Sequence, residues 1–144
     1  MNDEFDSFQL ERFVDAQQRT FDVALAELEA GKKQSHWMWF IFPQLAGLGR
    51  SPTAQFYGIR SLQEARAYLA HPLLSERYRR AVETISGWAN RSSAAAILGD
   101  VDALKLRSSL TLFENASGDQ LFAETLAAFF GSPDEATLRL LNRS

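Results

Sequence analysis

Apolar residues recur along most of this chain at spacings of three and four, the period of a helix with one buried face. Runs that alternate with period two are hard to find. The pattern predicts a first helical stretch over about 8–13, with Asp6 or Ser7 as its cap. A longer helix follows over about 16–30, in which Phe21, Ala24, Leu25 and Leu28 share a face and Gly31 is the stop. Ser35 caps a short helix over 36–42 that Pro43 ends, and residues 44–53, with Gly47, Gly49 and Pro52, read as an ordered loop. Ser61 and Glu64 have the spacing of a capping box, which opens a helix over 62–70. Pro72 suits the first position of the next, which runs to about Asn90, with His71 at its start. Ser92 or Ser93 caps an alanine-rich turn ended by Gly99. Helices over about 100–114 and 119–130 come next, and Ser132-Pro133-Asp134-Glu135 opens a last one. The expectation is an all-α chain: a single multihelical domain over 1–144, of about eight helical segments, orthogonal rather than a simple up-down bundle.

Composition supports that class. Leucine (19) and alanine (20) far outnumber valine and isoleucine (4 each), so good helix formers supply most of the apolar surface. The absence of cysteine removes disulfides, a cysteine nucleophile and cysteine-ligated metals, and two histidines without a carboxylate cluster give no metal site. The start of the chain is acidic and lacks the basic, then apolar pattern of a signal peptide. The apolar run 37–42 is far too short to cross a bilayer, so no membrane is expected and the location is read as cytoplasmic.

Charge is unevenly spread. Residues 1–30 carry a net −6, residues 31–91 a net +6 and residues 92–144 a net −3, within an overall −3. A pI near 5.4 argues against nucleic acid as partner, while the middle third could hold a local anion site. Arg77, Arg79 and Arg80 read as one solvated helix face.

Two segments carry unusual chemistry. In 31–51, Lys32, Lys33 and Ser35 stand before a short helix whose free N–H groups favour an anion, with Arg50 and Ser51 as donors after Gly47 and Gly49. The apolar run Trp37 to Phe42 covers every side of a helix and reads as core, with Trp37, Phe40 and Ile41 inside and Gln44 or His36 as partners for an indole N–H. In 100–113, Asp102, Lys105 and Ser109 form a polar stripe between two apolar faces, one of Ala103, Leu106, Leu110 and Phe113, the other of Val101, Leu104 and Leu112. An enclosed lysine needs a partner, and Asp102 stands three residues away. The candidate ligand-binding residues are Lys33, Ser35, His36, Trp39, Gln44, Arg50, Ser51, Lys105, Ser108 and Ser109, with Arg50 and Lys105 expected at one anion-holding cavity. His36 or Lys105 is the candidate general base should there be turnover, but nothing assigns a bond to be broken. No cofactor is indicated.

His36-Trp37-Met38-Trp39-Phe40-Ile41-Phe42-Pro43-Gln44 followed by Gly47-Leu48-Gly49-Arg50-Ser51 resembles the signature of an uncharacterised bacterial family, the domain of unknown function "eighteen-ten". Glu64-Ala65, Tyr68-Leu69, His71-Pro72 and Leu74 match further, as do Asp102, Lys105-Leu106, Ser108-Ser109, Thr111-Leu112-Phe113 and, near the end, Gly131, Asp134 and Thr137-Leu138. The resemblance spans nearly the whole chain and implies a small, mainly helical fold; it implies no activity. Some members bear the name calpastatin, but calpastatins are disordered inhibitors built of repeats, and this aromatic-rich chain has neither property. Two functions lead: a site for a small anionic, phosphate- or nucleotide-like ligand, or a protein-interaction or regulatory module; a third, single-stranded RNA binding through Trp or Tyr platforms and the basic middle, is opposed by the acidic flanks.

Overall fold

The structure is a computed structural model and describes residues 7–142. Among them ten helices form: α1 (Glu11–Gln18), α2 (Phe21–Ala30), α3 (Met38–Ile41), α4 (Pro52–Tyr57), α5 (Leu62–Ala70), α6 (Pro72–Ser86), α7 (Ala94–Leu98), α8 (Asp100–Ser117), α9 (Gln120–Phe130) and α10 (Glu135–Asn142). From Leu106 to Phe113 every residue of α8 except Arg107 is buried. A helix enclosed on nearly all sides must be surrounded, and α8 packs against α5, α7, α9 and α10. α6 makes the second centre, against α1, α2, α3, α5 and α9.

The two centres meet in a chain of buried rings. Phe13 meets Tyr68 edge-on at 5.2 Å, Tyr68 lies 5.1 Å from Phe113, Phe113 lies 4.5 Å from Tyr78, and Tyr78 touches Phe122 and Phe42. Their two hydroxyls are matched inside the core: Tyr68 accepts from Gln17 Nε2 at 3.0 Å, and Tyr78 shares a 2.9 Å hydrogen bond with Ser109. Burial pushes both phenols well above their ordinary value, so each stays neutral.

Several element boundaries differ from expectation. The first break falls at Arg19-Thr20, where no glycine or proline marks it. Asp6 lies outside the described residues, and α1 starts without a side-chain cap. The expected helix over 36–42 shrinks to α3, with Trp37 rather than Ser35 at its start, since Ser35 is tied elsewhere. The expected loop contains α4, begun by Ser51 Oγ accepting from Ala54 N and by Pro52. α6 stops at Ser86 before Gly87. The cap of α10 is Asp134, which accepts from Thr137 N; Ser132 accepts instead from Arg107. Trp37 and Ile41 are core as expected, whereas Phe40 is only half-buried and Met38 takes the inner place.

Candidate functional site

Glu27 stands in the last turn of α2, where the helix dipole disfavours a carboxylate. It is retained because the chain returns to it after Gly31 with four donors. Oε1 accepts from the backbone N–H of Gln34 and Ser35 and from the Trp37 indole at 2.8–3.0 Å, and Oε2 accepts from Ser35 Oγ at 2.6 Å. Burial works to raise its pKa, but the donors, Ser35 foremost, outweigh that and lower it from 4.5 to about 2. The anion expected beside Ser35 is thus an internal one. The Trp37 indole takes its partner from Glu27, not from Gln44 or His36.

With residues 32–37 pinned in this way, the backbone N–H of Lys33 donates to Ile97 O and its side chain reaches the start of α8. Lys33 Nζ lies 3.0 Å from Asp102 Oδ2, and Lys105 Nζ lies 3.3 Å from Asp102 Oδ1. All three side chains are largely covered, with exposures of 10% for Lys33, 19% for Asp102 and 24% for Lys105. Each ammonium also faces an indole, Lys33 over Trp37 at 5.4 Å and Lys105 over Trp39 at 4.9 Å. Two cations share one carboxylate, so the cluster carries a formal surplus of one positive charge.

Lys105 and Gln44 stand where two cavities meet. One is a niche of about 10 Å³, walled by Trp39, Phe42 and Lys105 and roofed by Ala54, Tyr57 and Gly58; it has room for about one water. The other is an open groove of about 270 Å³, with Leu48, Gly49, Val101, Leu104 and Ser108 beside Gln44 and Lys105, and with Asp134, whose Oδ2 accepts from Thr137 N and Oγ1, also on its wall. Trp39 and Tyr57 in turn join the niche to a shallow aromatic hollow of about 550 Å³ completed by Phe40, Pro52, Thr53 and Phe56. Hollow, niche and groove therefore form one continuous strip with Lys105 near its centre. Val101, Leu104 and Phe56 are 69, 60 and 55% exposed along it. The apolar face expected of Val101, Leu104 and Leu112 is buried only at Leu112, and its other two members form the groove's rim.

The ten candidate residues divide. Trp39, Gln44, Lys105 and Ser108 line the strip, and Lys33 reaches it through Asp102. Ser108 Oγ already donates to Leu104 O at 3.1 Å. Ser35 belongs to Glu27, Ser51 caps α4, and Ser109 is enclosed against Tyr78. His36 and Arg50 are exposed and line none of the three cavities, so Arg50 does not join Lys105 as expected. Sequence reasoning missed Glu27, whose signal was an acidic residue at the wrong end of a helix. It also missed Tyr57 and Ala54, for which the chain offers no signal short of the fold.

Comparisons with known proteins give the chain relatives but no activity. A family model described as a protein of unknown function (DUF1810) matches residues 7–141. The chain is similar to the conserved hypothetical protein Rv1873 from Mycobacterium tuberculosis, known from a crystal structure. The two are 46% identical and superpose with a TM-score of 0.92, over 95% of this chain and 99% of the other. No curated protein matches. No helix among the described residues is long and apolar enough to cross a membrane.

Proposed function

The chain belongs to the DUF1810 family, which brings no activity with it, and we propose from the geometry that it is a binding module for a ligand in which an anionic group is joined to an apolar or aromatic body. The observation that carries this reading is the shared carboxylate. Covered charges are kept where they are matched, and here Asp102 has to serve both Lys33 and Lys105. Lys105 is the more exposed of the two lysines and faces both niche and groove, so an incoming carboxylate or phosphate would restore the balance at its Nζ. The body of such a ligand would lie along Trp39 and the hollow, or along Leu48, Val101 and Leu104.

A thermal-shift and calorimetric comparison of naphthoate, naphthyl phosphate and neutral naphthalenemethanol tests this. The two anions should raise Tm at millimolar concentration and the alcohol should not, and Lys105→Met should remove the response. No response to either anion, or an equal response to the alcohol, overturns the reading. Equal binding of the alcohol would favour a second one, a protein-interaction surface. The specific support for that alternative is the exposed Val101, Leu104 and Phe56 on one strip.

A further inference from the structure

The niche beside Lys105 holds about one water, far less than any ligand with a body, yet it is the passage between hollow and groove. Its roof is a single excursion of the chain. Leu45 and Ile59 meet in an isolated parallel bridge, with Ala46 N donating to Ile59 O at 2.7 Å and Ile59 N to Gln44 O at 3.0 Å. The thirteen residues 46–58 between them leave the core and return to the same point, the geometry of an Ω-loop. Leu45 and Ile59 at the pinch are buried; within the loop only Gly58 is, and α4 has no buried residue at all.

The two ends of the loop are held unequally. At the return end Arg12 Nε donates to Phe56 O and its Nη2 to Gly58 O, while Tyr57 packs on Phe13 and Phe40. At the outgoing end Gly47 has φ +101°, and a Cβ there would meet only a Leu140 methyl, at 3.6 Å. Between them Gly49 lies so close to Ala54 that a Cβ would stand 2.6 Å from the Ala54 Cβ. The glycine–alanine contact joins the two limbs of the loop to each other, and half-buried Leu48 is the hydrophobic residue of 47–55 that packs on the core, so little apolar burial resists opening.

We propose that residues 47–55 are a lid over Lys105, hinged at the Arg12–Tyr57 anchor, and that its opening withdraws Ala54 from the niche and Leu48 and Gly49 from the groove, joining niche and groove into one cleft while Tyr57 and Gly58 stay in place. The admission of ligand rests on the binding reading above; the opening itself does not. No large core rearrangement is required, because the moving side chains are those already exposed or half-exposed.

Hydrogen exchange on the ligand-free protein, read by mass spectrometry, tests it. Amides of 50–56 should exchange by local opening, faster than those of 106–113 in α8 and with little dependence on denaturant. Gly49→Ala forces a methyl against Ala54 and should speed exchange of 50–56 about tenfold while leaving α8 unchanged. Gly49→Ala with Ala54→Gly should bring it back towards wild type. Exchange of 50–56 only together with α8 in the wild type overturns the lid, and so does an equal acceleration everywhere in Gly49→Ala. Should Gly49→Ala not fold, the wild-type pattern alone decides. Local opening without any naphthoate response sinks the binding reading and keeps the lid; naphthoate binding without local opening does the reverse.

Discussion

Replacing Glu27 with glutamine tests how the segment that carries Lys33 and Trp37 is held. The wild-type carboxylate meets four donors and ionises at about 2 instead of 4.5. A displacement of that size corresponds to roughly 3 kcal/mol between the protonation states. The side chain is half-buried, and solvent screening reduces the expected contribution to about 1–2 kcal/mol. Glutamine keeps the shape but loses the charge, and its amide NH₂ turns a donor towards donors. Because the folded pKa lies below the unfolded one, the stabilisation is complete above pH 4.5 and is lost as the pH falls towards 2. Urea titrations of wild type and Glu27→Gln at pH 7, 4 and 2.5 should therefore differ by about 1–2 kcal/mol at the first pH. The difference should narrow steadily at the other two. Subtracting the variant cancels the titration of every other carboxylate. A gap of the same size at pH 7 and pH 2.5 would refute the reasoning, since it would mean that packing and not charge carries the effect.

Arg12→Met should cost about 3–5 kcal/mol by the same titration, because it leaves the fully buried Glu64 carboxylate without its 2.7 Å partner. Adding Glu64→Leu should recover part of that loss, and a double variant less stable than the single one would contradict the account. Tyr78→Phe should cost about 1–2 kcal/mol by stranding the enclosed Ser109 hydroxyl. In a double-mutant cycle with Ser109→Ala the two losses should fall short of additive; strict additivity would separate the pair.

Where a boundary is set by a local cap, the sequence shows it. Ser61, His71, Ser93 and Asp119 each accept from a backbone N–H at the start of the expected helix. These groups act within three residues and need no knowledge of the rest of the chain. Where no such group marks a boundary, the sequence is silent: nothing at Arg19-Thr20 announces a break, and the apolar positions on both sides of it would share one face of an unbroken helix. The second half of the capping box failed for a related reason. Glu64 does not reach back to Ser61 N, because it accepts from Arg60 N and from Arg12, which stands fifty-two residues earlier. α4 is a different case, since Ser51-Pro52 is a good start signal that the flanking glycines obscured.

The candidate site was half legible for a reason that lies in charge balance. Basic residues before a short helix suggest an anion, and an anion is there, but it is Glu27 from the preceding helix. Because Glu27 is occupied by the Gln34, Ser35 and Trp37 donors, it does not serve Lys33. Lys33 must then find its carboxylate at Asp102, which the helical spacing had assigned to Lys105 alone. The surplus positive charge was expected of Arg50 and Lys105 together; Arg50 stands apart on its exposed glycine loop, and the surplus lies with Lys105 and Lys33 beside Asp102. A loop arginine in open solvent is neutralised by counterions at little cost, whereas a covered lysine sharing its carboxylate is not. On the binding reading proposed above, that difference makes Lys105, and not the more basic-looking segment before it, the position where a ligand's charge would have most effect.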